Sequence, residues 1–424
     1  MPTPAIEPTE ACALALDRAD PLAAFRDRFY LPPGIIYLDG NSLGLLSRDA
    51  EAALLQTLED WKGRAIAGWF EGPRPWLGTA REIGALAAGM MGAAPDEVVH
   101  TATTTVNIHA LMASFYRPEG RRVKILADAL NFPTDIYALR GQLRLRGRDP
   151  GRDLALVPSV DGRTLDEERI AAMLTEEVAL AWLPSVLYRS GQLLDMAFLT
   201  ARAHERGVLV GFDCSHSAGI VPHELDRWGV DCAAWCSYKY LNGGPGASAF
   251  LYVNRRHFDR EPLLAGWFGN RPETMFDMAL DFEPAPDAGR WQISSPAVLG
   301  SSTLRGSLAM IEEAGIEAVR RKSLAMTAYL VALLDEHLAA PPYSFRVGTP
   351  REDSRRGGHV AVERDEGAER VCEALIARGV VPDFRPPNVI RLCPSPLYGT
   401  FHEIWRTAGH LQAIIDGGEY RPGS

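Results

Sequence analysis

The chain has 424 residues, 46% hydrophobic and 23% charged, with 54 acidic against 44 basic side chains and a formal charge of −10. That composition suits two or three folded domains and excludes collagen-like, disordered and disulfide-scaffold classes. The acidic balance argues against a sequence-independent grip on nucleic acid. No apolar run reaches the roughly 18 residues that mark a membrane span, and Glu7 and Glu10 stand where a signal peptide has cations, so a cytoplasmic location is expected.

The first periodic stretch, 49–58, spaces its apolar residues as a helix does, with Ser47 as N-cap. A second helix is predicted over 79–92, with Gly92 closing it. Short apolar runs follow at 123–128, 154–158, 178–184, 207–213, 232–237 and 247–253, with amphipathic segments at 165–177 and 196–207 between them. Alternation of this kind predicts an α/β fold, a large domain whose mostly parallel sheet is covered by helices on both faces. After a proline- and aromatic-rich stretch from Pro262 to Pro296, helical periodicity runs from 303 to about Leu338. The last segment mixes strands at 359–363 and 389–394 with helices at 368–379 and 404–416, which predicts a smaller α+β domain. The division expected is 1–60 as a segment contributing to the small domain, 61–305 as the large cofactor-binding domain and 306–424 as the small domain.

Six cysteines without a CxxC pair read as free, buried or half-buried thiols rather than as disulfide or zinc partners. All but four of the 44 basic residues are arginine, so any chemistry that needs an amine has four positions to choose from. Lys62 in WKGR and Lys322 in VRRKS read as surface lysines. Lys239 instead lies between Tyr238 and Tyr240, after a strand-like run and before the glycine-rich LNGGPG. A desolvated amine is the nucleophile that forms an imine with a carbonyl.

Upstream, GVLVGFDCSHSAG ends an apolar strand on Asp213, with His216 close behind. Ligands of open α/β sheets bind at the carboxyl ends of strands. A strand-end acid paired with a strand-end lysine is what pyridoxal 5′-phosphate requires, the acid to keep the ring nitrogen protonated and the amine to hold the aldehyde. The other needs of that cofactor have candidates too. Thr103, Thr104 and Thr105 open an apolar helix that could hold a phosphate, and Phe132, three residues before Asp135, offers an aromatic plate in a proline-fixed turn. Arg391, in the apolar run NVIRLCP, is the fork for a substrate carboxylate.

These motifs in this order, from YLDGNSLGLL through RPWLGT, NFPTD, GFDCSHSAG, SYKYLNGGPG, LAGWFGN and WQISSP to FRPPNVIRLCPSPLY, resemble those of the kynureninase family, fold-type I pyridoxal-phosphate enzymes. The resemblance runs nearly end to end. It implies hydrolysis of L-kynurenine to anthranilate and L-alanine, in tryptophan catabolism and NAD biosynthesis, by a homodimer that builds each site from both subunits, with no nucleic-acid or membrane partner. Lys239 would then carry the cofactor, Asp213 would pair with its ring nitrogen and Phe132 would stack on its ring. His216 and Asp135 would flank the ring, while Thr104, Thr105, Tyr238, Trp267 and Ser295 match other cofactor contacts, the last two supplied across the dimer. Tyr238 would also donate the proton to the β-carbon. Arg391 would grip the substrate carboxylate, with Ser42, Trp69 and Asn270 at the substrate. Asn270, Ser295 and Pro184 depart from the family's residues at their positions. Trp69 stands where human-type members have a histidine linked to the 3-hydroxy substrate, which leans toward plain kynurenine.

Three rival readings compete with this one. A desulfurase needs an exposed reactive cysteine, for which Cys393 in its apolar strand is a poor candidate, and an aminotransferase could share the fold. A non-catalytic cofactor-binding scaffold would not need Tyr238 and Arg391. A nicotinamide enzyme would need GxGxxG after a strand, which LNGGPGAS does not supply.

Overall fold

The computed structural model describes residues 7–421. The outermost residues of the predicted 1–60 and 306–424 segments, 1–6 and 422–424, lie outside the described residues. Thirteen strands run in chain order: β1 (Ile36–Tyr37), β2 (Val98–Thr101), β3 (Lys124–Asp128), β4 (Leu154–Val157), β5 (Val178–Pro184), β6 (Leu209–Asp213), β7 (Cys232–Trp235), β8 (Ala249–Val253), β9 (Arg346–Val347), β10 (Val360–Glu363), β11 (Val380–Val381), β12 (Asp383–Arg385) and β13 (Val389–Leu392). The helices of the first half are α1 (Glu10–Arg18), α2 (Arg48–Arg64), α3 (Thr79–Ala88), α4 (Thr104–Phe115), α5 (Pro133–Leu145), one-turn α6 (Pro150–Asp153), α7 (Glu167–Met173), α8 (Met196–Glu205) and one-turn α9 (Leu225–Trp228). The second half adds α10 (Val298–Ala314), α11 (Ile316–Leu333), α12 (Ala368–Ala377) and α13 (Phe401–Asp416).

The large sheet has seven strands in the order β2-β8-β7-β6-β5-β3-β4. Only β8 runs against its neighbours. Successive residues of the central strands face opposite sides, so each strand feeds two cores. Leu183, Val210, Phe212 and Trp235 join one face, whereas Leu180, Trp182, Cys232 and Ala234 join the other. Burial on both faces explains why the strands read as unbroken apolar runs rather than alternating ones. Six of these seven strands lie where the apolar runs predicted them, with ends trimmed by up to two residues, as at Gly207, whose φ of 64° belongs to the preceding turn, whereas β2 lies in no predicted run.

The helical stretch predicted from 303 to Leu338 is broken in the structure. Gly315, at φ 75°, separates α10 from α11, because a left-handed residue cannot continue an α-helix and glycine adopts that conformation without a Cβ clash. Residue 305 falls inside α10, which packs along α2.

The small domain holds the antiparallel sheet β12-β13-β10-β9 with α11, α12 and α13. The N-terminal segment splits between the two bodies. α1 packs on α13 and β1 pairs with β11, but α2 lies against α10. Between them, residues 39–44 lie along the domain junction. Gly44 donates its N–H to the Tyr238 carbonyl at 2.8 Å. A Cβ there would sit 2.4 Å from the Lys239 carbonyl oxygen, so only glycine lets this loop approach the lysine.

Candidate active site

The carboxyl ends of the parallel strands converge on one edge of the large sheet. β6 ends on Asp213, directly opposite Pro184 at the end of β5. β7 leaves the sheet after Trp235, and the chain turns through Tyr238 and Lys239. Lys239 Nζ lies 3.3 and 3.4 Å from the two ring nitrogens of His216. Asp213 accepts the Ser215 N–H at 2.8 Å. Burial raises its pKa while the charge of Lys239 pulls it back down. Burial, with the charges of Lys239 and Arg391, pushes His216 well below the ordinary histidine range, so its ring is neutral.

Phe132 caps α5 and stands 43% exposed, with Tyr188 edge-on at a centroid distance of 5.3 Å. Phe132, Pro184, Tyr188, Asp213 and His216 line one small pocket. Asp135 is fully buried behind this space. Trp182 Nε1 donates to one of its oxygens at 3.0 Å, and the other has no partner among the described residues. Burial first, and then Asp213, drive its pKa well up. α4 begins at Thr104 with no side-chain cap on its first turn, and Thr105 Oγ1 lies 2.9 Å from Thr134 Oγ1. Open N–H groups at a helix start with hydroxyls beside them can hold a phosphate. Tyr238 is half-buried, and burial, Cys236 and Asp213 all raise its pKa, so the phenol keeps its proton.

The small domain brings Arg391 to the same place. Only 1% exposed on β13, it donates from Nη1 to the Tyr188 carbonyl at 2.7 Å and to His216 Nε2 at 3.4 Å. Its Nε donates to Asp383 Oδ1 at 2.6 Å, and Nη2 donates to Asp383 Oδ2 and to Ser42 Oγ. Burial works against its charge, but Asp383 outweighs burial and the pKa is raised. Lys239, His216, Asp213, Arg391 and Ser42 therefore form one connected cluster across the domain junction.

Trp69, Trp267, Asn270 and Ser295 form a second group. Trp69 packs against Trp76 and Phe268, and Trp267 against Phe268 and Phe276. Trp267 Nε1 donates to the Met275 carbonyl and Asn270 Nδ2 to the Trp267 carbonyl. Trp69 and Trp267 line an apolar groove with Ser295. Among the described residues no hydrogen bond or ring contact joins this group to Lys239 within the chain.

One sequence reading needs correction. Lys322 is buried, not a surface lysine. It pairs with Asp20 at 2.7 Å and donates to the Pro396 carbonyl at 2.6 Å, because its side of α11 faces the fold. Arg391 shares its burial with Arg290, Arg305, Arg320, Arg356 and Arg364. What separates it is the set of groups around its fork. Sequence reasoning also missed Asp383, Tyr188 and His359. Asp383 faces Arg391 in the β12–β13 register, so a carboxylate near the start of a strand hairpin was the available signal. His359 is buried, and burial pushes its pKa down to about 3. No local pattern marks it.

An amine beside a neutral imidazole, a strand-end carboxylate, an aromatic plate and an uncapped helix start match the aldehyde, ring nitrogen, ring face and phosphate of pyridoxal phosphate. The unpartnered Asp135 oxygen adds a polar atom with nothing among the described residues to satisfy it. Cys393 does not suit persulfide chemistry. Its thiol is buried against Tyr240, and burial pushes its pKa up to about 12.

Comparison with known proteins agrees. A family model described as the kynureninase C-terminal domain matches residues 319–411. A kynureninase of Geobacillus thermodenitrificans is 51% identical over 421 residues, covering 99% of this chain and 98% of the relative. Among solved structures, the apo cysteine desulfurase of Thermococcus onnurineus superposes with a TM-score of 0.79 at 18% identity, covering 93% of this chain and 98% of that one. A C-DES variant with glycine covalently linked to its PLP cofactor gives 0.76 at 18% identity, covering 92% and 98%. At such identity these structures speak for the fold alone.

Proposed function

The chain belongs to the kynureninase family, and we propose how its residues carry out hydrolysis of L-kynurenine to anthranilate and L-alanine. The observation that carries this reading is the convergence of Lys239, His216 and Arg391 from two domains, with Nζ 3.3 Å from the imidazole and the imidazole 3.4 Å from the guanidinium. Pyridoxal phosphate, when bound, supplies an aldehyde for the substrate amine and a ring that accepts the electron pairs released on bond cleavage. Lys239 would hold that aldehyde, and its Nζ would take the α-proton. Asp213 would keep a proton on the ring nitrogen, Phe132 would pack against the ring face, and Thr104 and Thr105 would hold the phosphate at the α4 start. His216 and Asp135 would flank the ring. Arg391 and Ser42 fix the substrate carboxylate. Water adds to the side-chain carbonyl, the Cβ–Cγ bond then breaks, and Tyr238, whose phenol keeps its proton, would donate that proton to the β-carbon.

The same reading assigns Trp267 and Ser295 to a second copy's site, Trp69 and Asn270 to the aryl end of the substrate, and the whole to a homodimer. The exposed groove of Trp69, Phe70, Trp267 and Phe276 supports this, since apolar patches of that kind mark interfaces. Cytoplasmic tryptophan catabolism, feeding NAD synthesis, is consistent with six free cysteines, five of them buried. Separate incubation with L-kynurenine, 3-hydroxy-L-kynurenine and L-cysteine tests the reading. It predicts anthranilate from kynurenine faster than the hydroxylated product from its analogue, and no sulfide from cysteine. Absence of an aromatic product from either kynurenine overturns it.

A further inference from the structure

Arg391 has five N–H donors, and the structure uses all of them. The Nε/Nη2 side is taken by both oxygens of Asp383. The remaining Nη2 proton goes to Ser42 Oγ at 3.0 Å, while Ser42 in turn donates to Asp383 Oδ2 at 2.9 Å. Nη1 reaches the Tyr188 carbonyl at 2.7 Å and His216 at 3.4 Å. A substrate carboxylate must therefore displace a partner. The bond to His216 is the longest of these, and it lies on the side facing Lys239. The Asp383 fork is charge-assisted and bidentate.

Arg385 also pairs with Asp383 Oδ2 at 2.8 Å. One carboxylate is thus shared by two guanidiniums. Asp39 lies close by, its pKa raised to about 6 by burial and by Asp383.

We propose that Asp383 is the positioning residue for the substrate's α-carboxylate: it fixes the Nε/Nη2 side of Arg391, so that the carboxylate docks on the Nη1 edge beside His216 and Lys239. This rests on Arg391 being the carboxylate fork of the proposed function. Asp383 touches no reacting atom and acts through Arg391 alone.

The test uses the cofactor-loaded full chain and two ligands that differ by one carboxylate, L-alanine and ethylamine, with binding read from the visible absorbance of the lysine-bound cofactor. Asp383→Ala is expected to weaken L-alanine binding about 10- to 100-fold and leave ethylamine unchanged. With L-kynurenine, KM rises by a similar factor while kcat moves by less than about threefold, as for an interaction made equally in ground and transition states. In an Arg391→Ala background, Asp383→Ala costs nothing further in L-alanine affinity. Asp383→Asn, of the same shape, is expected to behave alike and stands in should the alanine variant fail to fold. Equal losses for both ligands, unchanged or tighter L-alanine binding, or a fall in kcat with KM intact overturns the proposal. The binding comparison needs no turnover, so it judges Asp383 even where anthranilate release fails.

Discussion

At the scale of single residues, the cluster works by pushing its members to different protonation states. His216 is held neutral by burial and by two cations, whereas Tyr238 is held protonated by burial, Cys236 and Asp213. A proton donor of that kind contributes about 10²–10⁴-fold. Tyr238→Phe should therefore lower kcat for L-kynurenine by that order while the absorbance of bound cofactor is retained, which steady-state kinetics beside a spectrum will show. Asp128, at the end of β3, carries a second residue-scale consequence. Burial raises its pKa to about 7. The folded chain holds this proton up to about pH 7, but the unfolded chain releases it near its ordinary value. The contribution to stability is thus full below that lower value and is lost as pH climbs toward 7. Asp128→Asn does not titrate. In urea unfolding it should gain on the wild type between about pH 4 and about pH 7, by at most about 1.4 kcal/mol per pH unit, with the difference constant above that.

Among elements, the break between α10 and α11 is the clearest departure from local periodicity. Apolar spacing continues across Gly315, but its φ of 75° turns one helix into two, and a Cβ there would meet nothing within 4 Å. Space is therefore not what requires glycine; the backbone angle is. Gly315→Ala should cost about 1–3 kcal/mol from the positive-φ backbone alone, read as a lower urea midpoint with kcat unchanged. The strands show the opposite case. Their β-branched and aromatic runs specify both position and double-sided burial, and VALAWLP at 178–184 is the strand over its whole length. Helix ends were legible where a cap marks them. Ser47 accepts the Ala50 N–H at the start of α2, and Gly92 closes the turn after α3 at φ 57°.

For the whole molecule, the exposed aromatic groove is the feature a lone chain leaves unsatisfied. Trp267 and Phe276 are 43% and 47% exposed, and Phe70 is 57% exposed. If a second copy covers this face, the wild type sediments as a dimer at micromolar concentration. Phe276→Glu should shift it toward monomer and loosen cofactor binding, because the charge must be desolvated at the interface. Dimerisation unaffected by the substitution counts against the groove as the contact.

The sequence by itself determined the β–α alternation, the strand-end Asp213 and the tyrosine-flanked Lys239. Each is written in a continuous stretch, where periodicity and immediate neighbours carry the information. Only the tertiary structure decided that Lys322 turns inward, that Arg391 is clasped by Asp383, and that Ser42 reaches it across 349 positions of chain. Those contacts depend on how two domains and an N-terminal loop pack together. A side chain's partners across such a junction are chosen by shape and charge in three dimensions, and no local pattern encodes them.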